Sequence, residues 1–203
     1  ASIEALPGRP DALDVKLIQF VTLSSGRMGK RSGNFVTFND LIAEVGSDAV
    51  RFFYLMRSHD QHLEFDLELA RSQSNDNPVY YVQYAHARIC SVFRQLAEKH
   101  WSYNRTASES ARARLVEAQE TELLDELMRY PEVIETAAAN RAPQMLATYL
   151  RELASAFHSF YNGQPILVAD EELRHARLGL CAATRQVLAN GLSLLGVNAP
   201  ESM

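Results

Sequence analysis

Apolar positions in this chain follow one rhythm near its start and another from residue 66 onward. Leu17-Ile-Gln-Phe-Val-Thr-Leu23 is almost continuously apolar and β-branched, which predicts a strand in a parallel sheet covered on both faces. Phe35-Val-Thr-Phe38 predicts a second short strand. Asn39 then reads as the cap of a helix over 40–45, Gly46 as its stop, and Ser47 as the cap of a helix over 48–57. That second helix turns Ala49, Val50, Phe52, Phe53, Leu55 and Met56 inward. In the polar run Ser58–Asp66, Leu63 and Phe65 alternate as in a short extended segment, and a short helix follows over 66–74.

Beyond it the period is helical throughout. Asn77 can cap, and Pro78 open, a long helix whose apolar stripe is Val79, Val82, Ala85, Ile89, Val92, Phe93 and Leu96. After a polar stretch over 100–109, expected to be a surface loop, Ser108 reads as the cap of a helix or helix pair over Arg112–Tyr130. Leu115, Leu123, Leu124, Leu127 and Met128 are its inward residues. Pro131 can start a short helix burying Val133, Ile134 and Ala137. Pro143 can open a longer one through Tyr161, with Met145, Leu146, Tyr149, Leu150, Leu153, Ala156, Phe157 and Phe160 inward. The last helix begins near Asp170 and carries Leu178, Leu180, Ala183, Val187, Leu188, Leu192, Leu194 and Leu195 to Gly196. Short loops between such helices favour antiparallel neighbours in a bundle. The predicted class is mainly α, a helical bundle over 74–203 behind a small α/β part over 1–38 and a connector over 39–73.

Composition narrows what such a chain can do. Its 203 residues suffice for a sizeable core, and 47% hydrophobic with 22% charged residues is the balance of a soluble globular protein. No apolar run approaches the ~20 residues of a membrane span, and no signal or transit peptide pattern is expected. Cys90 and Cys181 fall among helical core positions and read as buried free thiols of a reducing compartment. A net charge of −5 argues against indiscriminate nucleic-acid binding while leaving room for a shaped RNA site with local positive charge.

Two groups of residues carry candidate chemistry. Arg27-Met-Gly-Lys-Arg-Ser-Gly-Asn34 follows the first strand: its glycines admit close approach of a ligand and its cations suit a polyphosphate, although a solvated surface loop has the same composition. On the long helix, Tyr81, Tyr84 and Arg88 stand at i, i+3 and i+7, able to stack on and hydrogen-bond single-stranded bases, or to seal a core edge. Tyr161 follows Phe160 at the exposed end of another helix. Met203 closes a tail that only a fold back onto the bundle would give something to touch; docked beside Tyr161, the two would form a slot for one unstacked base. His59, Asp60, His62, Glu64 and Asp66 lack a helical histidine pair or a cysteine and read as a solvated loop rather than a metal site.

The stretch Asn77-Pro-Val-Tyr-Tyr-Val-Gln-Tyr-Ala-His-Ala-Arg88 resembles the opening helix of the anticodon-binding domain of bacterial arginyl-tRNA synthetases. Phe52-Phe-Tyr-Leu-Met-Arg57 resembles the family's connector, and the ending from Ala176 to Met203 its C-terminus. The loop over 27–34 resembles the second signature loop of class I aminoacyl-tRNA synthetases, in its arginyl form Lys-Met-Ser-Lys-Arg-Ser/Ala-Gly. Arg27 falls on the first lysine, Met28 on the methionine, Gly29 on the serine and Lys30 on the second lysine. Arginine at 27 keeps the charge with a different geometry, and Gly29 removes a hydroxyl, so Lys30 is the stronger catalytic candidate.

The resemblance implies the C-terminal portion of a cytoplasmic, monomeric arginine–tRNA ligase without membrane attachment, comprising the end of a Rossmann-type catalytic domain, the connector and a complete anticodon-binding domain. It implies ATP with Mg2+ as cofactor and arginine and its tRNA as partners of the full-length enzyme. Arg27, Met28, Gly29, Lys30 and Arg31 would contact ATP, with Lys30 and Arg27 stabilising the phosphates that transfer. Tyr81, Tyr84, Arg88, Tyr161 and Met203 would contact the anticodon, and no metal ligand is implied. The first signature motif and the amino-acid pocket are missing from the sequence, so this chain alone is expected to be inactive. A stand-alone helical adaptor for tRNA or protein is the alternative. A nucleotide-hydrolysing enzyme is disfavoured, because no Walker-type lysine–serine pair follows the loop.

Overall fold

A computed structural model describes residues 16–23 and 37–203. The loop over 27–34, with Arg27, Met28, Gly29, Lys30 and Arg31, lies outside the described residues, as do Phe35 and Val36. The first strand, β1 (Val21–Leu23), pairs in parallel with β2 (Leu63–Phe65), register Val21↔Leu63 and Leu23↔Phe65. The ladder is three residues long rather than the seven expected, because its partner is no longer; Leu17, Ile18 and Phe20 are exposed. Leu63 and Phe65 face the core on alternate positions, as predicted.

The predicted strand over 35–38 is overturned at its described end. Thr37 caps a helix, α1 (Phe38–Val45): its hydroxyl accepts from the Asp40 N–H at 3.1 Å while Asp40 accepts from the Thr37 N–H at 2.9 Å. This capping box explains why Thr37 and not Asn39 starts the helix: only Thr37 has a carboxylate three residues on to reciprocate. The Thr37 hydroxyl also donates to Asp40 Oδ2 at 2.6 Å, and this bond first and the Thr37 N–H second hold the Asp40 carboxyl below its usual range. Gly46, at φ +85°, makes the corner into α2 (Ser47–Leu55). Ser47 is thus the first helical residue, and its side chain caps nothing. Asp66 caps α3 (Leu67–Arg71).

Asn77 and Pro78 open α4 (Pro78–Glu98), the Asn77 side chain accepting from the Val79 and Tyr80 N–H groups. Every predicted stripe residue of this helix is buried except Phe93, which is partly so. Next come α5 (Arg105–Ser110), one 3-10 turn (Arg112–Arg114), α6 (Ala118–Met128), α7 (Tyr130–Asn140), α8 (Pro143–Gly163) and α9 (Glu171–Leu194). Ser108 does not cap. It lies buried inside α5, capped instead by Asn104, and its hydroxyl sits where a Cβ on Gly179 of α9 would be, 1.7 Å away. Only glycine lets α5 come this close to α9. Met128 and Leu194 end their helices at 70% and 64% exposure, against expectation, because the apolar stripe runs out of partner before the helix runs out of residues; Ala183, in the middle of α9, is exposed as well.

The bundle is centred on α4, α8 and α9, which pack on one another. Helix α6 lies against α8 and α9, α7 against α8, and α5 against α9, while α2 joins the front part to α4. Val82, Ala85, Ile89, Leu150, Leu153, Phe157, Phe160, Leu178, Leu188 and Leu192 are essentially inaccessible to water. At about 25 cal/mol per Å² of apolar surface, each such Leu or Phe contributes roughly 1.5–3 kcal/mol. Cys90 and Cys181 are buried free thiols, and burial pushes Cys181 up to about 12.

Candidate functional site

The site lies along the seam between α4 and α8, where the chain's last residues form a third wall. After α9, Gly196 takes φ +67° and turns the chain back; Val197 is buried, and residues 198–201 run along α4 in that helix's direction. Gln83 donates to the Asn198 carbonyl at 2.9 Å, His86 Nδ1 lies 2.8 Å from the Pro200 carbonyl, and Arg94 donates to the Glu201 carbonyl at 3.0 Å. A carbonyl only accepts, so His86 Nδ1 carries the proton. Asp48 at the start of α2 accepts from both the backbone N–H and the side-chain amide of Asn198, at 3.2 and 3.1 Å, and from Gln83 at 2.9 Å. The tail is held by directed bonds at four points.

These bonds bring Met203 to Tyr161. Tyr84, Ala87, Arg88, Ser91, Arg94, Tyr161, Ser202 and Met203 line one open cavity of about 280 Å³. The Arg88 guanidinium carbon sits 4.6 Å from the Tyr84 ring centre and 4.7 Å from that of Tyr161, so the cation lies between two aromatic faces. Among the described residues that line the cavity two are arginines and none is Asp or Glu. A half-open space with aromatic walls, hydroxyl and guanidinium donors and local positive charge suits a flat, electron-rich ring attached to an anionic backbone. No group of three or more His, Cys, Asp or Glu side chains among the described residues is placed to hold a metal ion.

The structure separates the three residues that the spacing had placed on one face. Tyr84 and Arg88 enter the cavity with Tyr161 and Met203. Tyr81, one turn earlier, instead lines a neighbouring cleft of about 350 Å³ with Asn75, Pro78, Thr148, Arg151, Glu152 and Ser155. Between the two spaces stands His158 of α8, its ring 4.6 Å from Tyr81 and 5.8 Å from Tyr84. Its Nδ1 is 3.3 Å from Arg88 and its Nε2 3.4 Å from the Tyr81 carbonyl. Burial first, and then the Arg88 charge, lower its pKa to about 4 against a partly opposing bond to Tyr81, so the ring is neutral. Sequence reasoning missed His158, Ser91 and Arg94. The signal was there, since 84, 88, 91 and 94 fall on one helical face and 158 lies one turn before 161.

A model of the DALR anticodon binding domain matches residues 82–203. The chain belongs to that family. The matched region contains Tyr84, Arg88, Tyr161 and Met203 and begins one residue after Tyr81. Outside the DALR domain the likeness continues. The arginine–tRNA ligase of Halorhodospira halophila is 58% identical over 207 residues, covering 100% of this chain and 35% of that protein. That of Coxiella burnetii is 53% identical over 205 residues, covering 99% of this chain and again 35% of the relative. This chain therefore spans about a third of the length of these curated relatives. Among solved structures, an arginyl-tRNA synthetase from Campylobacter jejuni superposes with a TM-score of 0.79 at 31% identity, over 92% of this chain and 40% of that one. The Thermus thermophilus arginyl-tRNA synthetase does so with a TM-score of 0.71 at 28% identity, over 90% of this chain and 34% of that one. The predicted bundle is thus the DALR domain's own architecture, with a small parallel sheet and the helices α1, α2 and α3 before it. No helix among the described residues is long and apolar enough to cross a membrane.

Proposed function

We propose that this chain is the C-terminal part of an arginine–tRNA ligase and that its DALR domain binds the anticodon loop of arginine tRNA in the cavity between α4, α8 and the tail. The observation that carries the reading is Arg88 held between Tyr84 and Tyr161, with Met203 lining the same cavity. A single unstacked base can enter beside the Tyr161 ring and the Met203 thioether, hydrogen-bonding to the free edge of Arg88 while Arg94 faces the phosphate backbone. Tyr81, in the adjoining cleft, is positioned for a neighbouring nucleotide. In the whole enzyme, ATP with Mg2+ and arginine would be the other substrates, with Lys30 and Arg27 of the loop over 27–34 on the ATP phosphates. The loop's part in this rests on its likeness to the family signature.

Binding of an arginine-tRNA anticodon stem-loop to this chain tests the proposal. Stacking on an aromatic contributes about 1–3 kcal/mol per base, so Tyr161→Ala should weaken binding about 5- to 150-fold. Affinity should also fall as salt rises, because phosphate contacts release counterions. A helical protein adaptor would show neither effect. Equal stem-loop affinity for wild type, Tyr161→Ala and Tyr84→Ala, with altered melting, would make the tyrosines core and end the proposal.

A further inference from the structure

We infer that His158 is a positioning residue of this cavity: a neutral imidazole that takes a hydrogen bond from Arg88 through Nδ1, gives one to the Tyr81 carbonyl through Nε2, and so fixes the guanidinium between the two tyrosine rings. The inference rests on the reading of the cavity as a base site and adds the device that orders its cation. The chemistry leaves one arrangement. A guanidinium only donates, so the imidazole nitrogen 3.3 Å from Arg88 must present its lone pair. A carbonyl only accepts, so the nitrogen 3.4 Å from the Tyr81 oxygen must carry the hydrogen. Both demands are met by a single neutral tautomer. The ring has no freedom to exchange them: it is 7% exposed and packed by Tyr81, Tyr84 and Phe157.

Five other arginines show what a charged partner would do in this place. Arg71, Arg105, Arg114, Arg129 and Arg177 are each pinned by a carboxylate, which orders the side chain and also cancels its charge. Arg88 has no carboxylate partner among the described residues. His158 orders it with a neutral acceptor and leaves the full positive charge, with its remaining donors, for the nucleic acid. Asp or Glu in this place would hold Arg88 as well and repel RNA.

The test uses the whole chain. Nitrogen-15 NMR of labelled histidines at neutral pH should show His158 protonated at Nε2 and bare at Nδ1; the opposite tautomer would overturn the inference whatever happens to binding. In stem-loop titrations His158→Leu, which removes the acceptor, should bind about 10-fold more weakly, the scale of one hydrogen bond to a charged group. His158→Asn, which can present an oxygen near the place of Nδ1, should return to within about 3-fold of wild type. A merely structural role would make both variants lose stability and leave their affinities equal, which would overturn the inference. If His158→Leu binds as wild type while Tyr161→Ala binds weakly, the site reading stands and this inference alone falls. If Tyr161→Ala also binds as wild type, the site reading itself has failed and the inference goes with it.

Discussion

Two arginines in this bundle are both held in place, one in the core and one beside open space. Arg177 on α9 is buried against Glu120 of α6, Nε to Oε1 at 2.6 Å, and its other donors go to the Pro165 carbonyl at 2.7 Å and the Gln164 side chain at 3.1 Å. Glu120 is fully buried and accepts a further bond from the Glu117 N–H. Burial closes that guanidinium to any ligand. Arg88 on α4 has one side-chain acceptor, two aromatic faces and an open cavity before it. A buried arginine ties α6 and the loop over 164–165 to α9; in the proposed site, an ordered arginine with donors facing open space would meet its ligand with its ordering entropy already spent.

The sharpest way to break the comparison is to make the same substitution at both sites. Arg177→Met leaves the buried Glu120 carboxylate without its cation and should cost about 3–5 kcal/mol in chemical denaturation, with little change in the RNA affinity of the folded fraction. Arg88→Met should do the reverse. Its stability should fall less, by about 1–2 kcal/mol for the His158 acceptor left unpaired, while stem-loop binding falls about 10-fold and the salt dependence becomes shallower, since one cation no longer meets a phosphate or base. If Arg177→Met weakened binding as much as Arg88→Met, the division between structural and binding arginines would be wrong.

A pH titration sharpens the same contrast at a smaller scale. His158 is neutral in the folded chain with its pKa lowered to about 4, by burial first and by Arg88 second, whereas an unfolded histidine titrates near 6.5. A depressed folded value means that the unfolded state takes up the proton first. The contribution of neutral His158 is therefore complete above about pH 6.5 and is lost as pH falls from there toward about 4. Stability at pH 5 should fall about 1–2 kcal/mol further relative to pH 7.5 in wild type than in His158→Asn, followed by denaturant midpoints at both pH values. Identical pH slopes in the two proteins would mean that His158 is not held neutral.

How far the sequence could be read follows from the range of the forces involved. The α4 cap and stripe were legible because Asn77, Pro78 and the 3.6-residue period act within a turn or two of the chain. The residues of the slot are legible in part: Tyr84 and Arg88 share a helical face, and a slot of Tyr161 with Met203 follows from the sequence only on the condition that the tail folds back, which it does here. What spacing could not show is that Tyr81 turns toward the next cleft, because the residue that divides the two spaces, His158, comes from another helix. The Thr37 capping box is written in the sequence as Thr-x-x-Asp, but Asn39, two residues on, is an equally good cap by residue type, and only the reciprocal bond from Asp40 decides between them. Ser108 against Gly179 and Arg177 against Glu120 pair residues distant in sequence, where no local pattern speaks.

The smallest expected effect concerns how the third wall of the cavity is kept in place. Asp48 belongs to α2, outside the matched DALR residues, yet both its oxygens engage the Asn198–Gln83 group that begins the tail's course along α4. All of these groups are partly or fully exposed, so each bond contributes only about 0.5–1.5 kcal/mol and is opposed by the entropy of the ordered tail. The bonds farther along, from His86 to Pro200 and from Arg94 to Glu201, do not involve Asp48 and remain when it is changed. Asp48→Ala should therefore loosen the tail without releasing it, weakening stem-loop binding about 2- to 5-fold and raising amide exchange at Asn198. Removal of Ser202 and Met203 takes the wall away outright and should weaken binding more. The order of these two variants is the decisive reading: if Asp48→Ala were the weaker binder, α2 would shape the cavity by a route other than the tail.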